Sequence, residues 1–359
     1  MNGVAHLRAI ARAPRAAGSA EEATARRYAS GVLASAGYAV REEVFEYSRF
    51  PGRWGTPVAG LLGGVTLIAA AWLALAGHDV AASRWSLLIG VGALALFARA
   101  MLGDGVLDVP LLRTSGVNTI ATLGDAEPTV WLVAHLDSKS QPVPSAVRVA
   151  AVVAIGGAVV CAAIAIALTP GAASTRTLWW VVGCLSTAGA VPLVMSTVGN
   201  HSAGAVDNAS GVAAVLAAAE VVRPALCIGV LLPSAEELGL AGVRAWSRGR
   251  TPATALNCDG VDDDGRVVIM HSGRVPAGLV AAIQRVAAGD VVVRRMPPGL
   301  MTDSTALSGR GWNAVTISRG SLRTLARVHR PSDSLANLRG TGIDEVASLL
   351  ARSAEALAT

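Results

Sequence analysis

Four long apolar stretches stand out along the chain, and a weaker alternation of buried strands and helices surrounds them. Val58–Ala76 and Trp85–Leu102 form a first pair, separated by Gly77–Arg84. Val149–Leu168 and Leu178–Val198 form a second, separated by Thr169–Thr177. Each run approaches the roughly 20 residues that a bilayer-spanning helix needs, and loops this short predict two antiparallel transmembrane hairpins. Trp54, Trp85, Trp179 and Trp180 flank the runs, where an interfacial aromatic belt belongs. Arg99, in the last turn of the second run, has to reach back to the headgroups.

Outside the hairpins the periodicity is that of an α/β protein. Ala20–Gly37 has helical spacing, with Ser19 as N-cap and Glu21 and Glu22 in the first turn. Tyr38–Tyr47 alternates like a strand. Thr129–Ala134 and Ala225–Leu232 are continuous apolar runs, as strands buried on both faces are. Val212–Val222 reads as a helix, Ala255–Cys258, Val267–Met270 and Ala314–Ser318 as short strands, and Gly342–Leu357 as a closing amphipathic helix. The expected fold is α/β, a mostly parallel mixed sheet flanked by helices, with two inserted transmembrane hairpins. Residues 1–57, 103–146 and 200–359 make one catalytic-type domain, interrupted by hairpins at 58–102 and 147–199.

Composition supports the membrane reading. Hydrophobic residues make up 52% of the chain and charged residues 15%, against roughly 25% charged in an ordinary soluble domain. The net charge of +5 is carried by scattered arginines, with no basic run interleaved with aromatics, so nucleic acid is not an expected partner. Arg41, Arg49, Arg53, Arg99, Arg113, Lys139 and Arg148 lie on the α/β side of the spans, and only Arg84 and Arg176 lie in the hairpin loops. By the positive-inside rule this predicts a multi-pass protein of the cell membrane with a cytoplasmic α/β domain. The first 50 residues have no apolar h-region of the secretory type. Cys161, Cys184, Cys227 and Cys258 form no CxxC pair, and they read as small hydrophobes in a reducing compartment.

Chemistry gathers in five short stretches at predicted strand ends or turns: AHLDS (Ala134–Ser138), GAVDNASG (Gly204–Gly211), SAEELGLAG (Ser234–Gly242), LNCDG (Leu256–Gly260) and VHRPSDSL (Val328–Leu335). In an open α/β sheet these ends converge on one edge. Zinc takes imidazole nitrogen and carboxylate oxygen, and two zincs about 3.5–4 Å apart can share one carboxylate and one water. Such a pair needs a histidine and a terminal acid for each ion, plus a bridging acid. The chain supplies His135 and His329, Glu237 and Asp259, and Asp207. Asp137 is spaced to orient the His135 ring. In the pair Glu236–Glu237 successive side chains point apart, so one can bind metal while the other faces the water as base.

These stretches, together with Pro14–Phe45 (PRAAGSAEEATARRYASGVLASAGYAVREEVF), resemble the M28 family of zinc metallopeptidases over most of the chain outside the hairpins. GAVDNASG and AEELGLAG are the most specific parts. The resemblance implies one zinc on His135 and Asp259, the other on Glu237 and His329, with Asp207 bridging. It also implies Glu236 as general base, Asp137 as orienting residue, and a peptide substrate hydrolysed near its free N-terminus. Two positions depart from the family pattern: Val328 stands where an aromatic residue is frequent, and Ser304 where a histidine commonly follows the Asp of MTDS. Both are expected on the substrate or oxyanion side, where losing a donor costs on the order of 100-fold in rate.

Other polar groups are assigned to structure. His201 is read as a loop residue; His6, His78 and His271 as structural or exposed; Asp262–Asp264 as a solvated turn closed by Gly265; Asp303 and Asp333 as caps or supports. Two rival functions remain: a glutaminyl-cyclase-like or other zinc hydrolase on the same scaffold, and a non-catalytic membrane receptor with a relict metal site.

Overall fold

Strands rich in valine, leucine and isoleucine assemble into one eight-stranded mixed sheet in the order β1-β2-β4-β3-β5-β8-β6-β7. The strands are β1 (Ala39–Ser48), β2 (Arg113–Thr122), β3 (Val130–Val133), β4 (Ile228–Leu232), β5 (Thr254–Val261), β6 (Arg266–His271), β7 (Val291–Arg295) and β8 (Asn313–Gly320). The computed structural model describes residues 1–77, 80–168, 173–297 and 299–358. They form two compact units, one of residues 1–49, 106–140 and 199–359 and one of residues 50–105 and 141–198.

In the first unit the central strands β4, β3, β5 and β8 run parallel, and β1, β2 and β6 join antiparallel neighbours. The parallel strands are buried on both faces, which is why their sequences do not alternate. On β3, Val130 and Leu132 face a core built with Val212 and Leu216 of the helix Gly211–Ala219 and Leu350 of the helix Ile343–Ala358. Trp131 and Val133 face the other layer with Ile120, Trp246 and Trp312. There Trp246 lies between Trp131 and Trp312, with ring centroids 4.7 and 5.1 Å away.

The strands expected from the apolar pattern are present within a few residues, as are Ser19-capped Ala20–Ser35 and the closing helix. Strand β2 was not anticipated. Its sequence RTSGVNTIAT looks like a loop, yet it pairs with β1 and β4, and Asn118 and Thr119 are fully buried. Short helices at Gly3–Ile10, Ala241–Ser247, Ala277–Val286, Asp303–Ser308 and Leu322–Arg327 also add to the expected elements.

The second unit contains helices Phe50–Leu75, Val80–Met101, Ser145–Ala167 and Ala173–Val194, all long and apolar enough to cross a membrane. Each begins before the apolar window that marks it, because its first turn carries polar residues or glycines. Residues 78–79 and 169–172 of the two loops, and with them His78, lie outside the described residues. Helix Phe50–Leu75 packs between Val80–Met101 and Ala173–Val194, and the latter packs against Ser145–Ala167. Leu67, Ala70, Ala158, Ala162, Trp179 and Val182 form the interior. Trp54, Trp85 and Trp180 are exposed as an interfacial belt requires, but Trp179 is buried in the bundle and does not belong to it.

Candidate metal centre

The parallel order β4-β3-β5-β8 brings the carboxyl ends of four strands to one edge, and the five predicted stretches meet there. His135 follows β3, the Glu236–Glu237 pair follows β4, Asp259 lies near the end of β5, and His329 follows β8 and the helix Leu322–Arg327. Asp207 sits in the turn Ala205–Ser210 that leads into the helix Gly211–Ala219.

Asp207 faces both imidazoles. Its Oδ1 is 3.2 Å from His135 Nε2 and its Oδ2 is 2.9 Å from His329 Nε2. Around His135, Asp259 Oδ1 lies at 3.7 Å and Glu236 Oε2 at 3.9 Å; around His329, Glu237 Oε1 lies at 3.4 Å. Two triangles able to hold a cation result, His135–Glu236–Asp259 and Asp207–Glu237–His329, each with ligand atoms within 4.8 Å of one another. The donor set suits a divalent metal such as zinc. His135 Nε2 and Glu237 Oε1 are buried without a hydrogen-bond partner, a costly state that a bound cation would relieve.

The His135 ring is oriented from behind by a different atom than expected. Nδ1 lies 3.0 Å from the backbone carbonyl of Asp137, while the Asp137 carboxylate is 3.7 Å away. Donation to that carbonyl leaves Nε2 free as a ligand. The Asp137 carboxylate instead accepts from the backbone N–H of Glu236 (3.0 Å) and of Glu237 (3.2 Å), so it fixes the glutamate turn.

Neighbouring charges drive the two glutamates apart. Burial raises the Glu236 carboxyl well above its usual range and outweighs the opposing pull of His135; Glu237, Asp303 and Asp259 add to the rise. Burial would raise Glu237 too, but Lys139, whose Nζ is 2.5 Å from Glu237 Oε2, holds it below the ordinary value. Asp207 is held well below its usual range, against burial, by the two imidazoles that face its carboxylate. His135, although burial disfavours its charge, is pulled well above the ordinary imidazole value by Glu236, Asp137, Asp207 and Asp259. A cage that holds a proton this firmly also favours a dication, and the two compete.

Several groups in and behind the centre were not foreseen. Asn208 joins two ligand turns: its Nδ2 donates to the Cys258 carbonyl, and its Oδ1 accepts from the N–H of Gly211 and Gly260. A Cβ at Gly211 would lie 2.0 Å from that Oδ1, which accounts for the glycine ending DNASG. Asn118 of β2 bridges the glutamate turn, accepting from Ser234 N–H and donating to the Gly242 carbonyl. Lys139 carried a signal, being the chain's single lysine. Ala235 and His329 hold left-handed φ angles of 57° and 65°, each costing about 1 kcal/mol or more for an L-residue with a Cβ. Nothing in the sequence marks that strain.

The remaining expectations fall out as follows. Asp333 accepts from the N–H of Val206 and Asp207, so it supports the bridging turn. Asp303 is fully buried with neither carboxylate oxygen hydrogen-bonded, and burial, reinforced by Asp259 and Asp137, pushes it up to about 8. Asp262 is not part of a solvated turn: it is buried and accepts from Thr324 Oγ1 and Arg327. Ser304 and Val328, the two positions that depart from the family pattern, are held by the protein itself. Ser304 is buried among the hydroxyls of Thr302 and Thr316, and Val328 packs against the core.

A comparison with the curated proteins finds no match. The model of peptidase family M28 matches residues 186–354, a stretch that includes Asp207, Glu236, Glu237, Asp259 and His329 and leaves out His135. Among solved structures, an aminopeptidase from Aneurinibacillus sp. strain AM-1 is 17% identical with a TM-score of 0.57, over 99% of this chain and 93% of that one. A glutaminyl cyclase from Fimbriiglobus ruber is 15% identical at a TM-score of 0.56, over 99% and 94%. A zinc aminopeptidase from Bacillus subtilis is 12% identical at 0.55, over 98% and 93%. The chain therefore has an aminopeptidase-like fold, and its carboxyl-terminal part matches peptidase family M28.

Proposed function

We propose that the protein is a membrane-embedded, zinc-dependent aminopeptidase of the M28 type, acting on peptides near their free N-terminus. The observation that carries this reading is the meeting of Asp207 with His135 and His329, at 3.2 and 2.9 Å, ringed by Asp259, Glu236 and Glu237. Glu237, held ionised by Lys139, is suited to bind metal; Glu236, raised by burial and like charges, is suited to exchange a proton. His135, Asp259, Glu237 and His329 would hold two zinc ions, with Asp207 between them. Zinc, when bound, supplies Lewis-acid polarisation and acidifies water. Glu236 accepts the proton of the attacking water and returns it to the leaving amine. Asp137 keeps both glutamates in register through their backbone N–H groups.

Glutaminyl cyclases superpose on this chain about as well as aminopeptidases do, so the decisive experiment offers both substrates. Purified full-length protein, loaded with zinc, is expected to release amino acids from a panel of amino-acid amides and to leave N-terminal glutaminyl peptides uncyclised. Cyclisation without amide hydrolysis would replace the peptidase reading with the cyclase one. Neither activity, in protein with zinc bound, would favour the receptor reading.

The excess of arginine on the α/β side of the four apolar helices supports a cytoplasmic catalytic unit. A reporter fused at the C-terminus is expected to be active inside the cell. Activity confined to the outside would reverse the orientation.

A further inference from the structure

Every ligand-bearing turn on the β4, β3 and helix side of the centre is tied to one N-terminal segment, Arg15–Glu22, that contributes no ligand. Arg15 is fully buried. Its Nε donates to the carbonyl of Leu136, between His135 and Asp137, at 3.0 Å. Its terminal nitrogens donate to the carbonyls of Ala203 (2.5 Å) and Gly204 (3.2 Å), just ahead of Asp207. The Arg15 backbone closes a two-way link with Ser138: Arg15 N–H donates to Ser138 Oγ, and Ser138 N–H donates to the Arg15 carbonyl, both at 2.9 Å.

Glu22 extends the link to the third turn. Its Oε1 accepts from the hydroxyl of Ser234, two residues before Glu236, at 2.6 Å. Its Oε2 accepts from Gly18 N–H at 2.7 Å, while Ser19 Oγ caps the helix by accepting from Glu22 N–H at 3.1 Å. Arg15 and Glu22 thus lie at opposite ends of one short strap, across the backs of the turns bearing His135, Asp207 and Glu236–Glu237. A planar guanidinium with five fixed donors can reach both carbonyl sets at once; an ammonium group cannot.

We propose that Arg15 and Glu22 are positioning residues for the metal centre. They hold the three turns at the separation that lets Asp207 face both imidazoles and Glu236 face the site. The inference rests on the metal reading above. Displacements near 1 Å at such a centre are enough to cost about 100-fold in rate, and groups behind metal ligands typically carry 10–100-fold in affinity.

The test is zinc affinity of the full-length protein in detergent, by competition with a chromophoric chelator, alongside the visible spectrum of the cobalt-substituted protein. Arg15→Lys is expected to weaken zinc about 10–100-fold and to alter the cobalt bands. Glu22→Ala and Ser234→Ala are each expected to weaken zinc, and the double variant to be no worse than the stronger single one, since both remove the same bond. Glu22→Gln, which keeps an acceptor for Ser234, is expected to recover most of the loss. A purely structural role would lower the melting temperature and leave zinc affinity and cobalt bands untouched, and that result overturns the proposal. Should Arg15→Lys fail to fold, additive effects in the Glu22–Ser234 cycle overturn it equally. Wild-type protein that takes up no zinc overturns the metal reading, and this inference with it.

Discussion

Replacing Glu236 by glutamine is expected to lower kcat for amide hydrolysis by about 10²–10⁴-fold, the usual contribution of a positioned general base, while zinc content stays at the wild-type level. Glutamine preserves the shape of the side chain but cannot accept a proton. Glu236 also stands at a corner of the triangle with His135 and Asp259, so unchanged zinc content in the variant is the result that separates a base from a ligand. The pH profile gives a second check. Glu236 must be ionised to act, and burial raises its carboxyl above the usual range. Activity should therefore fall as pH drops and that carboxylate takes up a proton. The residual activity of the variant should lack that limb. A variant retaining a tenth or more of wild-type kcat would remove Glu236 from the role of base.

The second large effect is expected at Asp207. Its two oxygens face His135 and His329 separately, at 3.2 and 2.9 Å, so Asp207→Asn removes a charge that faces both histidines at once. Zinc affinity should fall by more than about 100-fold, the upper range for groups that only stand behind ligands, and activity should fall with it. Stability reports the same event independently. At free zinc 100-fold above Kd, binding stabilises the folded protein by about 2.7 kcal/mol; the wild type should show the corresponding rise in melting temperature and the variant should not. If the variant is stabilised by zinc as the wild type is, Asp207 is not the shared ligand.

Much of this centre was legible in the sequence because acid and imidazole residues stood directly after apolar runs. TVWLVA before His135 and ALCIGVLL before the glutamate pair are buried on both faces, and their carboxyl ends fall on one edge. The four apolar helices were legible for a similar reason, since lipid-length hydrophobic runs are rare elsewhere. What escaped was carried by polar residues doing structural work inside the protein. Strand β2 hides behind the buried polar pair Asn118 and Thr119, and the burial of Asn118 is possible because it is satisfied by Ser234 and Gly242. Ser304 looked like an altered substrate contact and is a buried hydroxyl bonded to Thr302 and Thr316. Asp262 looked solvated and binds Thr324 and Arg327. Each has at least one partner 12 or more residues away in sequence, which local pattern does not encode.

The position of the second helical pair within the chain also fixes an order of events during synthesis. His135 emerges from the ribosome before the helices Ser145–Ala167 and Ala173–Val194, and Asp207, Glu237, Asp259 and His329 all emerge after them. Strand β3 cannot gain its neighbours β4 and β5 until that same interval has passed. A nascent chain therefore cannot complete the candidate centre until both helices of the pair have emerged. The antiparallel bridge between Ser140 and Gly199 closes the gap that the pair leaves behind. That bridge can form only after the whole pair has been synthesised, just before Asp207 emerges.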